Sequence, residues 1–263
     1  MGIGTQIAKA RQAKGLSQTA LAELLDVSPE AVSKWEQNAY RPSAEKMRLL
    51  EAALDLGAFD KDGNPRNRRL FDEEHMSAFL KGKLAACALP EALNALRYAK
   101  EKHAGSFRKP EEAKVPYINH PLTMACHALA LGLEDDALIA ALLLHDVAED
   151  CGVEAAELPF SPAVQRLVAL VTKPEKPFDE AAYYAGIAED PRACLVKCID
   201  RCNNLSSMSQ GFSAKKIAEY VEETERYFPP LLRSVKDCPE YNNAAWLLQY
   251  QIRSLLELAK RVT

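Results

Sequence analysis

No apolar run in the 263-residue chain approaches the roughly 18 residues of a membrane-spanning helix, and the first twenty residues lack the apolar core of a secretory signal. These absences predict a protein that stays where it is made, with no membrane partner. A disulfide framework is missing too, because seven cysteines, an odd number, lie scattered over a long chain. A reducing cytoplasm is the expected compartment. Excess positive charge is also lacking: a formal net charge of −4 gives no global attraction to nucleic acid, so any such contact must be local. Persistent β-branched alternation, internal repeats and low-complexity tracts are absent as well.

What is present is helical. Apolar residues make up 48% of the chain and recur at spacings of three and four almost throughout, which predicts an all-α protein with enough apolar mass for two cores. The character changes after Leu56, where GAFDKDGNPRNRRLFDEE gathers Gly57, Gly63, Pro65 and dense mixed charge. The expected organisation is a small four- or five-helix domain over 1–56, a charged linker with a connecting helix over 57–83, and a helical bundle over 84–263. The connecting helix begins near Glu73, with Met76, Phe79 and Leu80 at helical spacing. Cys194, Cys198 and Cys202 recur every four residues and would stack along one helix face. Zinc sites favour shorter gaps with a pair in a turn, so buried packing is the better reading of these thiols.

In the first domain Ile3 to Lys14 forms a helix ended by Gly15, and Ser17 caps a second helix buried through Leu21, Leu24 and Leu25. Ser28, followed by Pro29 at the first helical position, caps a third helix, inward at Val32 and Trp35 and outward at Glu30, Ser33 and Lys34. Two short helices joined by a tight turn, the second with an exposed polar face, can enter a major groove. The stretch LSQTALAELLDVSPEAVSKWEQNAYRPS resembles the Xre-type, lambda-repressor-like helix-turn-helix family over roughly 3–56. That resemblance implies a phosphate contact at Gln18 and base-reading positions at Pro29, Glu30, Ser33 and Lys34. The segment carries four Lys and three Arg against seven acidic residues, so a module that binds a protein partner or dimerises is the alternative.

The second domain carries groups suited to a metal ion. PYINHP places His120 directly before Pro121 at a helix entrance, where a capping role is the plain alternative. The apolar run 140–144 passes into HDVAED, so His145 and Asp146 follow a buried turn and need a compensating charge, while Glu149 and Asp150 lie one turn on. An acidic solvent-facing helix end is the alternative there. In LVKCIDRCNN, Asp200 follows the apolar stripe of Leu195, Val196 and Ile199. Two histidines and two aspartates form a mixed N/O set suited to Mn²⁺, Fe²⁺ or Zn²⁺, able to activate water and polarise a phosphoryl oxygen.

His120, the HDVAED run and Asp200 match the HD phosphohydrolase pattern. FRK before PYINHP, the DRCNNL run and KIAEYVEETERYFPPL resemble the hydrolase domain of the RelA/SpoT-like alarmone enzymes over roughly 84–235. The resemblance implies an α-helical HD bundle in which His120, His145, Asp146 and Asp200 ligate one divalent ion, usually Mn²⁺. It implies that Glu149 and Asp150 orient or deprotonate the attacking water, and that Arg108, Lys109, Arg201 and Asn204 contact the nucleotide. The expected reaction removes pyrophosphate from the 3′ position of ppGpp or pppGpp. The short remainder after the matched region holds no synthetase domain. Hydrolysis of another nucleotide is one alternative, and a nucleotide-sensing transcription regulator with little or no turnover is another. A homodimer is expected, because a two-fold pair doubles a weak half-site. The terminal segment with Trp246, Leu247, Tyr250, Leu255 and Leu258 is expected to be an amphipathic helix used in packing or oligomer contact.

Overall fold

A computed structural model describes residues 3–54, 72–108, 115–175, 177–208 and 211–262. Among the described residues there are thirteen α-helices, two single 3-10 turns and no strand, and an isolated bridge pairs Phe107 with Pro116. No described helix is long and apolar enough to cross a membrane. The chain divides into two compact units, Met1–Leu70 and Phe71–Thr263. Of the expected linker, residues 57–71 lie outside the described residues.

The first unit packs α1 (Ile3–Ala13), α2 (Gln18–Leu25), α3 (Pro29–Glu36) and α4 (Ala44–Leu54) around Ile7, Leu21, Leu25, Val32, Trp35 and Leu50. The expected caps form: Ser17 Oγ accepts from the Ala20 N–H at 3.0 Å and Ser28 Oγ from the Ala31 N–H at 3.3 Å. Leu24, expected in the core, is exposed instead, because α2 turns Leu21, Ala22 and Leu25 inward. Helices α1 and α3 are tied by a pair with little solvent around it, Arg11 Nε to Glu36 Oε1 at 2.6 Å. They approach so closely at Gly4 that a Cβ there would overlap the Trp35 carbonyl oxygen. The Gly4 N–H donates to Asn38 Oδ1 at 2.8 Å.

The second unit comprises α5 (Glu73–Ala86), α6 (Pro90–Lys102), α7 (Asn119–Ala130), α8 (Asp136–Asp150), α9 (Pro162–Val171), α10 (Glu180–Ala188), α11 (Pro191–Ser207), α12 (Ala214–Asp237) and α13 (Asn242–Val262). Helix α5, where the connecting helix was expected, buries Met76, Leu80 and Leu84 in this unit's core beside α6 and α7. Helix α8 runs through the middle, buried along 138–145, against α6, α7, α9 and α11. Its own start organises its neighbours. Asp136 accepts from the Glu91 and Ala92 N–H groups, satisfying orphan donors of α6, and Glu91 in turn accepts from Ser161 at the start of α9. Cys194, Cys198 and Cys202 are all buried on α11, and burial pushes the Cys194 thiol up to about 11 and the Cys202 thiol up to about 12. These are packing groups, as the sequence predicts. In α13 the buried face is Leu248, Ile252, Leu256 and Ala259, whereas Trp246, Leu247, Tyr250 and Leu258 are exposed, a correction to the apolar face expected there.

Candidate metal centre

Three helices bring the candidate ligands together. His120 sits in the first turn of α7, where Pro121 suits helical geometry without needing an N–H partner; His145 and Asp146 lie near the end of α8; Asp200 lies within α11. His120 Nε2 is 3.2 Å from Asp200 Oδ1 and 3.6 Å from Asp146 Oδ2, and His145 Nε2 is 3.0 Å from Asp146 Oδ1 and 4.0 Å from Asp200 Oδ1. Ligand atoms of His120, His145 and Asp200 all lie within 4.8 Å of one another, and all three residues are buried. The four side chains singled out in the sequence therefore share one centre.

The outer nitrogens of both rings are committed, which leaves the inner ones for a cation. His145 Nδ1 donates to the Leu142 carbonyl at 3.0 Å, and His120 Nδ1 lies 2.6 Å from Asn203 Oδ1. An amide oxygen can only accept, so His120 Nδ1 carries the hydrogen and Nε2 faces the carboxylates. His145 Nε2 is buried without a hydrogen-bond partner. An orphaned imidazole nitrogen beside two desolvated carboxylates fits a divalent cation of the N/O-binding kind. Without an ion the site must neutralise itself. Burial opposes the charge on His145, but Asp146 and Asp200 outweigh it and raise the imidazole to about 9. Burial likewise opposes ionisation of Asp146 and Asp200, yet the facing imidazoles, with Lys197 beside Asp200, hold both carboxyls well below the usual carboxylate range.

Three contributors escaped the sequence analysis. The Tyr117 hydroxyl donates to Asp146 Oδ2 at 2.8 Å, Asn203 orients His120, and the buried Lys197 places its ammonium 3.9 Å from Asp200 Oδ2. Tyr117 stands in the PYINHP motif itself, and Lys197 three residues before Asp200 on a helix, so position was a signal for both. Asn203 stands in the DRCNNL run, where its neighbour Asn204 was singled out instead.

The remaining expected residues separate into groups. Glu149 and Asp150 lie at the exposed end of α8. The surrounding protein and then Asp146 raise the Glu149 carboxyl above its ordinary value. Arg108 donates to Asn204 Oδ1 at 3.0 Å, and Asn204 Nδ2 donates to Asp200 Oδ1 at 2.5 Å, so both stand beside the ligands. Lys109 lies outside the described residues. Arg201 is a correction. It is only 2% exposed, its guanidinium paired with Glu223 Oε2 at 3.1 Å, bonded to Tyr184 and Thr224, and stacked 3.7 Å from the Tyr220 ring centre. A guanidinium engaged on these sides holds α11 to α10 and α12 and does not face a nucleotide.

In the first unit Pro29, Glu30 and Lys34 are exposed on α3 and Ser33 is half-buried, with Lys34 Nζ 5.9 Å from the Tyr40 ring centre. Gln18 departs from its expected phosphate contact: its amide nitrogen donates to Glu36 Oε2 at 2.7 Å, inside the Arg11–Glu36 pair.

Comparison with known proteins agrees with both units. A helix-turn-helix family profile matches residues 7–60 and an HD-domain profile matches residues 95–180. The chain is 37% identical over 150 residues to a guanosine-3′,5′-bis(diphosphate) 3′-pyrophosphohydrolase of Aquifex aeolicus, covering 54% of this chain and 21% of that one. It is 34% identical over 143 residues to the guanosine-3′,5′-bis(diphosphate) 3′-pyrophosphohydrolase MESH1 of Xenopus tropicalis, covering 49% of this chain and 78% of that one. A solved structure described as a metazoan ortholog of SpoT that hydrolyzes ppGpp shares the fold with a TM-score of 0.51 at 24% identity, over 64% of this chain and 94% of that chain.

Proposed function

The chain belongs to the guanosine-3′,5′-bis(diphosphate) 3′-pyrophosphohydrolase family, and from that premise we propose that its second unit removes pyrophosphate from the 3′ position of ppGpp or pppGpp, using one divalent cation, Mn²⁺ by preference. The observation that carries this reading is the convergence of His120 and His145 with Asp200 and the adjoining Asp146, one imidazole nitrogen left without a hydrogen-bond partner. Those four residues would hold the ion. When bound it would polarise a phosphoryl oxygen and make water more acidic.

The chain's own groups supply the rest. Glu149, with its raised affinity for a proton, is suited to take one from the attacking water, and Asp150 to orient that water. Hydrolysis breaks the bond between the 3′ oxygen and its phosphorus; the hydroxyl of water goes to the departing pyrophosphate and its proton to the 3′ oxygen. Arg108, fixed by Asn204 beside the ligands, and Lys109 next to it in the chain would offset the phosphate charge. Tyr117 keeps Asp146 aimed inward by donating to its outer oxygen. In the first unit, α3 would meet DNA bases through Pro29, Glu30, Ser33 and Lys34.

The helix-turn-helix favours a second reading, a regulator that senses the nucleotide without turning it over. Incubating the purified chain with Mn²⁺ and ppGpp, and following GDP and pyrophosphate, separates the two. Hydrolysis is expected, with Asp146→Ala abolishing both turnover and metal retention. Nucleotide binding without pyrophosphate release, or release of phosphate only from other nucleotides, would replace the proposal. Lys34→Ala is expected to weaken DNA binding and leave hydrolysis intact.

A further inference from the structure

Helix α13 buries one side against α11 and α12 and leaves the opposite side uncovered. Trp246 and Tyr250, one turn apart, are 64% and 62% exposed, their rings stacked at 5.9 Å between centres and 4° from parallel. Leu247 and Leu258 extend the same exposed side. Single exposed apolar residues are ordinary, but Trp246, Leu247 and Tyr250 lie within about one turn of one another, a local apolar patch of the kind that marks an interface, with Leu258 about two turns further along. Beside this patch lies an open groove of about 930 Å³ between α12 and α13. Phe228, Leu232, Ile252 and Leu256 line it with apolar surface, and Arg233, Lys236 and Arg253 line it with cations that have no ion pair among the described residues.

We propose that two copies of this chain associate through α13 in an antiparallel pair, each seating Trp246 and Tyr250 along the α12–α13 groove of the other. The two halves are complementary in kind. Aromatic faces attract guanidinium and ammonium groups, and the apolar lining takes ring surface out of water. Both halves belong to one surface, the aromatics on α13 and the groove between α12 and α13, so the same patch can meet itself across a two-fold axis. The register fits as well. Trp246 and Tyr250 belong to the first half of α13, whereas Arg253, Leu256 and Lys260 line the groove further along, so an antiparallel partner carries its aromatics alongside them. The groove also holds Glu225, Asp237 and Glu257, which disfavours a polyanionic occupant and suits a mixed protein surface. Trp246 and Tyr250 are already about one third covered, so four rings across the pair would bury on the order of 400–600 Å². The groove surface that these rings cover is buried with them, and with Leu247 and Leu258 it brings the total toward the ~1,200 Å² at which specific interfaces begin.

The test uses the full chain in sedimentation equilibrium, with circular dichroism to verify folding. Wild type is expected at dimer mass and a Trp246→Glu, Tyr250→Glu double variant at monomer mass with unchanged helicity. Arg253→Glu is expected to weaken association about tenfold. A wild type that stays monomeric at tens of micromolar, or a folded double variant that keeps the dimer mass, overturns the proposal. Should the double variant misfold, acrylamide quenching of Trp246 in the native sequence decides. Quenching that falls several-fold as protein concentration rises supports the contact, and quenching independent of concentration in a dimeric sample refutes it. None of these readouts depends on hydrolysis, so their failure and that of the proposed reaction are distinguishable.

Discussion

At the scale of single residues the centre depends on which nitrogen of each imidazole is free. Asn203 makes that choice for His120, since its amide oxygen accepts from Nδ1 at 2.6 Å. Asn203→Leu should leave that hydrogen unpaired and the ring free to turn, weakening metal affinity on the order of 10–100-fold, as loss of such outer partners does elsewhere. Asn203→Asp keeps an acceptor and should retain affinity; metal titration that finds Asn203→Leu unchanged would show that the contact positions nothing. For His145 the proton and the metal compete for Nε2. In the metal-free protein burial opposes its charge, but Asp146 and Asp200 prevail and raise it to about 9, so below that pH a cation must displace a proton. Affinity should therefore rise with pH, roughly tenfold per unit from this group, and level off above about 9. Calorimetry in buffers of different ionisation enthalpy should detect about one proton released at neutral pH; no release would mean that the nitrogen is already bare. His145, Asp146 and Asp200 were legible in the sequence because each follows an apolar stripe with a group that burial penalises, and His120 only through its match to the HD phosphohydrolase pattern. Asn203 and Arg201 were not, because nothing local separates an asparagine that turns inward to a histidine, or an arginine that turns to another helix, from one that faces a ligand.

At the scale of helices, a buried charge cluster locks α11 to its neighbours. Glu223 on α12 takes the Arg201 pair at 3.1 Å, the Lys173 ammonium at 2.7 Å and the Tyr184 hydroxyl at 2.6 Å. Burial opposes the Glu223 charge, yet Arg201, then Lys173 and Tyr184, overcome it and bring the carboxyl down to about 2. Its value in the unfolded chain is near 4.3, so the folded value is depressed. The stabilisation is complete above that unfolded value and is lost as pH falls through about 2. The shift corresponds to something on the order of 3 kcal/mol. Glu223→Gln should therefore cost a similar amount at neutral pH, where it strands the Arg201 charge, and the difference from wild type should shrink toward pH 2. Urea unfolding across that range measures it, and a gap that does not narrow in acid would remove Glu223 from this role. Helix starts were largely legible, because Ser17, Ser28 and the His120-Pro121 step are local signals. The facing of α13 was not: it carries two apolar stripes, and only the packing of α11 and α12 determines that Leu248 and Ile252 go inward while Trp246 and Tyr250 stay out.

At the scale of the whole chain, a ligand stabilises the folding unit that binds it, and every candidate metal ligand lies in the second unit, Phe71–Thr263. The two tryptophans divide between the units: Trp35 is buried in the first core and Trp246 lies on α13 of the second. In a Trp246→Phe variant, fluorescence follows the first unit alone, while circular dichroism is dominated by the second, which holds nine helices among the described residues. Mn²⁺ at about a hundred times its dissociation constant should add ~2.7 kcal/mol to the unit that holds it, and EDTA should take that away. For a unit of this length the expected rise is about 5–11 °C in the circular dichroism midpoint, with the Trp35 midpoint unmoved. The Asp146→Ala variant should lose the metal-dependent shift while keeping the Trp35 transition. An unchanged circular dichroism midpoint with and without Mn²⁺ would mean that His120, His145, Asp146 and Asp200 hold no ion of this class, and the convergence of three helices would then need its buried imidazolium to balance the two carboxylates.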